Sequence, residues 1–437
     1  MPPTAAGVSG KGGIRTVRGF DLLDKMGLIA PAYVEAAEAQ PKRRPPVWLK
    51  WGAAAACLTL LGYLGIGLLP QKSPETIPVP SSAPTGDPDL PLLTLPDTLS
   101  GGMGFEGMMA YDISELVNNN PWTEEMDLTT LPVFRNSITY ETPFHVAVGT
   151  DLEAMRTLLL DVAGRFGLEE SDLTITDNTP DEGYKAAVTE QMEQAGIPDV
   201  REEYFAPTRL MADGDGLSID VDLNMVADIR LEPALPLPEG FSLSRYVSRE
   251  ELSRTAQYLA TDYADVLGME QPVADISGGD RHFDGQSSGY TLSFYEGTGS
   301  DTDRILAYNF RQISFYGSDE GELYLVRVHQ PDLNQKLGDY PVITADQARE
   351  LLTEGHYLTT VPCEMPGREY IRKVELIYRT GTEDEYWMPY YRFWVEVDDV
   401  PASADQDPDL KTYGAYYVPA VAQEYLTELP FWDGSFN

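Results

Sequence analysis

The sequence predicts an α+β protein whose extracytoplasmic modules of helix and antiparallel sheet are preceded by one transmembrane helix. Three observations carry that expectation. Capping boxes at Thr150, Ser248 and Thr344 open amphipathic runs, each followed by short strand-like segments. Period-two alternation is clear towards the C-terminus. Finally, Trp51–Leu69 reads WGAAAACLTLLGYLGIGLL, nineteen residues without a charge. An α-helix needs about twenty mostly apolar residues to cross a bilayer.

The flanks orient that span. Lys42, Arg43, Arg44 and Lys50 precede it, and an acidic, proline-rich segment follows. The positive-inside rule keeps residues 1–50 in the cytoplasm and sends residues 70–437 outside. Trp48 and Trp51 suit the near interface, where an indole is half wet. No A-x-A cleavage site follows the apolar run, so an uncleaved anchor is expected rather than a signal peptide. Cys57 is too close to Lys50 to follow a lipoprotein h-region. The formal net charge is −39, divided as +4 over residues 1–50 and −43 over the rest. Such an exterior repels nucleic acid and anionic polymers. Cys57 in the span and Cys363 outside cannot pair, so the outer part relies on its hydrophobic core.

The expected order is a cytoplasmic segment (1–46), the span (47–69), a linker (70–100), two α+β domains (101–240 and 241–335) and a C-terminal module (336–437). In the first segment, short helices over Phe20–Met26 and Pro31–Glu38 carry Phe20, Leu23, Met26, Ile29 and Tyr33 on an apolar face. That face docks a partner or lies on the inner leaflet. Eight prolines between positions 70 and 98 make a stiff linker. If wholly polyproline-like, it reaches up to ~90 Å at ~3.1 Å per residue.

Thr150-x-x-Glu153 opens a helix to Phe166, with Leu152, Met155, Leu159, Val162 and Phe166 at helical spacing. A second helix spans Asp181–Ala195. Strands follow at Arg209–Ala212, Leu217–Leu223 and Met225–Leu231, the first two joined by an Asp213–Gly216 turn. Ser248-x-x-Glu251 opens a helix to Leu267 before Gly268. Strands are then expected at Tyr290–Tyr295, Ile305–Tyr316 and Glu322–His329. Thr344-x-x-Gln347 caps a helix to Leu352, followed by strands at Ile371–Arg379, Tyr390–Val397 and Thr412–Val421. Val374, Leu376 and Tyr378 alternate with Lys373, Glu375 and Arg379. Tyr391, Phe393 and Val395 alternate with Arg392 and Glu396. This pattern predicts one buried face and one wet face. The helix-then-strands order at 248–329 makes it a candidate structural repeat of the last module.

Ile343–Leu352, Val374–Arg379, Pro389–Val397 and Tyr413–Val421 together resemble the extracytoplasmic PepSY-like domains of Gram-positive membrane regulators, the YycI/YycH-type proteins among them. That resemblance implies a single span, an outer α+β domain and control of a membrane histidine kinase. The stretch from Lys42 to Cys57 is similar to the juxtamembrane segment of anti-sigma-factor-like proteins, which implies a sigma factor as cytoplasmic partner. No His or Cys precedes Cys57, so the usual His-Cys-Cys zinc motif is missing. The implied partners are therefore the lipid bilayer and a sigma factor or histidine kinase. The implied function is sensing or regulation through protein contacts, or else tethered envelope scaffolding.

No residue is assigned a catalytic, cofactor-binding or metal role, and no cofactor is expected. His145, His282, His329 and His356 stand in no H-x-x-x-H or H-E-x-x-H spacing. Neither a G-x-S-x-G elbow nor a phosphate-binding G-x-x-x-x-G-K-[ST] loop occurs. Asp213, Asp215, Asp220 and Asp222 offer clustered oxygens for calcium. Leu217 breaks the EF-hand order, however, and the simpler expectation places Asp220 and Asp222 on a wet strand face. The aromatic run Tyr386–Trp394 offers a stacking platform for sugars or peptides, or packs internally. Pro389 marks the start of that strand or a sheet edge open to strand addition.

Overall fold

The computed structural model describes residues 90–95, 109–110, 116–141, 146–196, 200–279, 281–282, 289–359, 361, 363–381, 384–397 and 411–434. All of them belong to one compact unit, residues 78–437. The expected cytoplasmic segment, the span and most of the linker lie outside the described residues. Among the described residues no helix is long and apolar enough to cross a membrane. The class is α+β, and the sheets are antiparallel.

The larger sheet has eight strands: β5 (Thr174–Asp177), β6 (Arg209–Gly214), β7 (Leu217–Asp222), β8 (Val226–Leu235), β13 (Leu323–His329), β12 (Gln312–Gly317), β11 (Tyr290–Glu296) and β9 (Pro272–Gly278), in that spatial order. One sheet thus runs across the expected boundary at residue 240, because β8 pairs with β13. Helices α1 (Leu152–Arg165), α3 (Arg249–Asp262) and α4 (Ala264–Leu267) close its inner face. Met155, Leu159, Val162, Leu252, Ala256 and Leu259 pack there against Ile219, Val221, Ile229 and Phe294. Helix α2 (Glu182–Gln194) falls within the helix expected over Asp181–Ala195, and Asp181 caps it.

A second sheet carries the spatial order β10 (Arg281–His282), β1 (Met109–Ala110), β19 (Thr412–Pro419), β18 (Pro389–Glu396) and β16 (Ile371–Tyr378), with β15 (Leu358–Thr359) also on β19. Three further strands, β14 (Lys336–Pro341), β2 (Thr130–Arg135) and β17 (Tyr386–Trp387), form a small sheet beside it. Strands β3 (Thr139–Glu141) and β4 (Val146–Val148) pair alone. Helix α6 (Ala345–Thr353) packs Ala345, Ala348 and Leu352 onto the β16–β18–β19 face that carries Leu376, Phe393, Tyr416 and Val418.

Several expectations change. The opposite face of β16–β18–β19, expected to be wet, is buried as well. Ile377, Tyr390, Trp394, Tyr413 and Tyr417 form a second core there with Leu93, Leu95, Val133 and Tyr340. Part of the expected linker supplies that cover. The Leu93 N–H donates to Tyr425 O at 2.8 Å, and Leu93 O accepts from Thr427 N–H at 2.9 Å. Proline spacing hid the Leu93/Leu95 alternation. Strand β18, which starts at Pro389, is interior, so it is not open to strand addition.

The expected strand Ile305–Tyr316 is instead helix α5 (Asp301–Phe310) followed by β12. Ser300 and Asp303 form a reciprocal capping box at its start, and Ile305, Ala307, Tyr308 and Phe310 are buried. The β-branched and aromatic composition hid a helix that its cap nucleates. Asp151 caps α1 in place of Thr150, accepting from the N–H groups of Glu153 and Ala154. The helix from Ser248 breaks at Tyr263 and closes at Gly268, whose φ of 58° suits a left-handed C-cap. Gly317 sits at a register shift between β12 and β13, where a Cβ would come within 2.3 Å of Leu243 O.

Candidate functional site

The polar centre of the molecule lies where the two larger sheets approach each other through edge strands β9 and β16. Antiparallel register puts Glu375 of β16 directly opposite Arg392 of β18. Glu375 is 2% exposed. Its Oε2 accepts from Arg392 Nε at 2.9 Å and Nη2 at 2.6 Å, and from Trp394 Nε1 at 3.0 Å. Its Oε1 accepts from Asn118 Nδ2 at 2.6 Å and lies 2.7 Å from Lys373 Nζ. Burial alone would raise its pKa. The charges of Arg392 and Lys373, helped by the Lys373 and Asn118 hydrogen bonds, hold it at about 2. So low a value, with every oxygen occupied, makes Glu375 a poor proton acceptor near neutrality and a strong structural anchor.

Residues Asn118–Asn120 connect this anchor to the other sheet. The Asn119 backbone N–H donates to Asp275 Oδ1 of β9 at 2.6 Å, and Asn119 Nδ2 donates to Ala274 O at 2.5 Å. Tyr295 Oη of β11 donates to Asn119 O at 2.6 Å. On the other side, Asn120 Nδ2 donates to Leu376 O at 3.1 Å, and Lys373 Nζ donates to Leu116 O. Burial raises the Asp275 pKa against the Asn119 hydrogen bond, and the Glu375 charge raises it further. Burial also carries the Tyr295 hydroxyl up to about 12. Helix α5 makes a second link. Asn309 Oδ1 accepts from the Tyr378 N–H at 2.9 Å, and Phe310 meets Tyr378 edge-on at 5.0 Å.

Towards the start of β16, beside Lys373, a cavity of about 210 Å³ opens. Arg349 of α6 lines it with Glu124, Arg368, Arg372, Lys373 and Val374. Arg349 grips Glu124 with both Nη atoms and meets Asp346 at 3.1 Å. Arg372 occupies the bulge between Ile371 and Lys373, and its Nη2 lies 2.7 Å from Glu396. A bulge re-aims the side chain it carries.

The residues weighed from the sequence are dispersed. His145 lies outside the described residues, and His282 is on β10. His329 ends β13, where burial and Arg327 press its pKa down to about 4. His356 Nδ1 lies 3.0 Å from Pro430 O. Asp213 and Asp215 are exposed at the β6–β7 turn, and Asp220 meets Arg209 at 3.3 Å. Asp222 accepts from the N–H groups of Asn224 and Val226, so its oxygens shape a turn. Among the described residues no group of three or more His, Cys, Asp or Glu is arranged to hold a metal. Trp387, Tyr390, Tyr391 and Trp394 are buried, so the aromatic run fills cores instead of presenting a platform. Sequence reasoning placed Glu375 in solvent and passed over Asn118–Asn120. The signal for the latter was three consecutive amides before Pro121, which favour local side chain–backbone hydrogen bonds over a ladder.

No family model and no curated protein matches the chain. Among solved structures it is similar to an uncharacterized protein from Eubacterium rectale ATCC 33656, with 9% identity, 68% of this chain and 84% of that chain covered, and a TM-score of 0.32. At that TM-score the likeness bears on neither fold nor function.

Proposed function

We propose that the chain is a single-pass membrane protein that displays an acidic α+β region outside the cell and acts as a sensor or regulator through protein contacts. The observation that carries this reading is the uncharged stretch Trp51–Leu69 behind the basic cluster Lys42–Lys50. Its finer parts are the transmembrane helix itself and a PepSY-like character for residues 336–437. A helix packed on the β16–β18–β19 meander supports the latter. A ligand or partner outside would bias the association of spans, and the cytoplasmic segment would pass that bias to a sigma factor or histidine kinase. The eight prolines between 70 and 98 transmit torque poorly. Regulation by proximity follows more readily than a rigid lever, and the same stalk favours a tethered envelope scaffold as the second reading.

The test is topology and capture. In intact cells a tag after Asn437 is expected to react with an impermeant reagent while a tag before Met1 does not. A pull-down with residues 1–50 is expected to recover a sigma factor or kinase. A shielded C-terminal tag, or fractionation as a freely soluble chain, rejects the anchor. Retained topology with no captured regulator favours the scaffold.

A further inference from the structure

We propose that the cavity at the open end of β16 seats the carboxylates of an extended acidic peptide presented by a partner protein. This rests on reading the chain as one that acts through protein contacts, and it names the chemistry of the contact. The first support is charge. Residues beyond 50 carry a net −43, yet at this cavity the cations Arg349, Arg368, Arg372 and Lys373 balance the carboxylates paired with them, Glu124, Asp346, Glu396 and Glu375. An acidic chain meets guanidinium groups here on a surface that is otherwise acidic.

The carboxylates already there show the binding mode. Arg349 holds Glu124 in the two-pronged geometry that a guanidinium offers any carboxylate. Asp346, 78% exposed, serves both Arg349 at 3.1 Å and Arg368 at 3.4 Å. The Arg368–Asp346 pair is exposed on both sides, and exposed pairs are weak and exchange readily for an incoming carboxylate.

The second support is the backbone. The Tyr378 N–H goes to Asn309 and the Leu376 carbonyl accepts from Asn120, so both residues turn their main-chain groups away from β18. Alternation along an antiparallel strand then turns those of Val374 outward too. Among the described residues β16 is the last strand of its sheet, and Val374 lines the cavity. An added strand would bond Val374 there and place every second side chain towards the arginines.

The experiment uses the full-length chain in detergent micelles and a fluorescein-labelled, blocked hexapeptide alternating Glu and Val. Its anisotropy is expected to rise on binding, with at least tenfold weaker binding for the Gln/Val counterpart. Arg368→Glu, at an exposed position, is expected to weaken binding at least tenfold with an unchanged circular dichroism spectrum. Glu124→Gln frees Arg349 and is expected to tighten binding about threefold, a gain that misfolding cannot produce. Val374→Pro removes one outward donor and is expected to weaken the peptide severalfold. Equal binding of the Glu and Gln peptides overturns the proposal, as does indifference to both Arg368→Glu and Glu124→Gln. Displacement by millimolar inorganic phosphate together with indifference to Val374→Pro also overturns it, since the cavity would then be a general anion site. None of these failures touches the topology test, so the regulatory reading stands or falls separately.

Discussion

Glu375 receives hydrogen bonds from Asn118, Arg392 and Trp394 and is paired with Lys373, all in a space nearly closed to water. Removing the carboxylate leaves two cations facing each other without a counter-charge. Glu375→Ala is therefore expected to cost about 3–5 kcal/mol, read from urea unfolding. A loss below about 1 kcal/mol would mean that water compensates the cations. The depressed pKa gives the sign of the pH effect. Stability from Glu375 is complete above the ordinary carboxylate pKa and is lost as pH falls towards about 2. His329 acts at milder acidity. Its folded pKa lies near 4, below the ordinary 6.5, so the unfolded chain takes the proton first. Stability is thus expected to fall between pH 6.5 and 4, by at most about 3 kcal/mol. In His329→Gln that part of the pH dependence should vanish from melting curves, while the steeper loss nearer pH 2 remains. Glu375 was not legible as a buried charge. Single-sequence alternation shows which residues share a face but not whether a second layer covers it. Leu93 and Leu95, which cover that face, lie far away in the sequence.

At the scale of elements, helices α1, α3 and α6 were legible from capping motifs at or beside their first residue, because the cap is local chemistry. Helix α5 obeys the same rule through Ser300 and Asp303. It was missed because Ile305, Tyr308 and Phe310 belong to residue types that also favour strands. If the cap decides the outcome, Ser300→Ala should cost about 1 kcal/mol. The loss should also loosen the Asn309–Tyr378 and Phe310–Tyr378 contacts, seen as faster amide exchange at Tyr378. Unchanged exchange there would show that packing alone holds the helix. The hairpin β6–β7 was legible from its Asp213–Gly216 turn. Strands β2, β14 and β17 were not, since their partners are separated by long stretches of chain.

At the scale of the molecule, the consecutive modules expected from the sequence share sheets and a polar strap. β8 pairs with β13 across one expected boundary, and β2 pairs with β14 across both. The strap Asn118–Asn120 then joins β9 to β16, and α5 reaches the core beneath β16. Contacts of this kind should make residues 78–437 unfold as one cooperative unit, although the two larger sheets bury separate apolar cores. The strap offers a way to separate them. Asn118→Ala with Asn120→Ala removes the donors to Glu375 and Leu376, each hydrogen bond worth about 1 kcal/mol net. Both cores stay intact, so the cost falls on their coupling. Calorimetry is expected to show one transition in the parent chain and two, or one markedly broadened, in the double variant. The lower transition should bring exchange of the β16 and β9 amides while α1 and α3 remain protected. A single transition that merely shifts down would show that α5 suffices to couple the sheets. The double variant would then be repeated with Ser300→Ala, which weakens the remaining link.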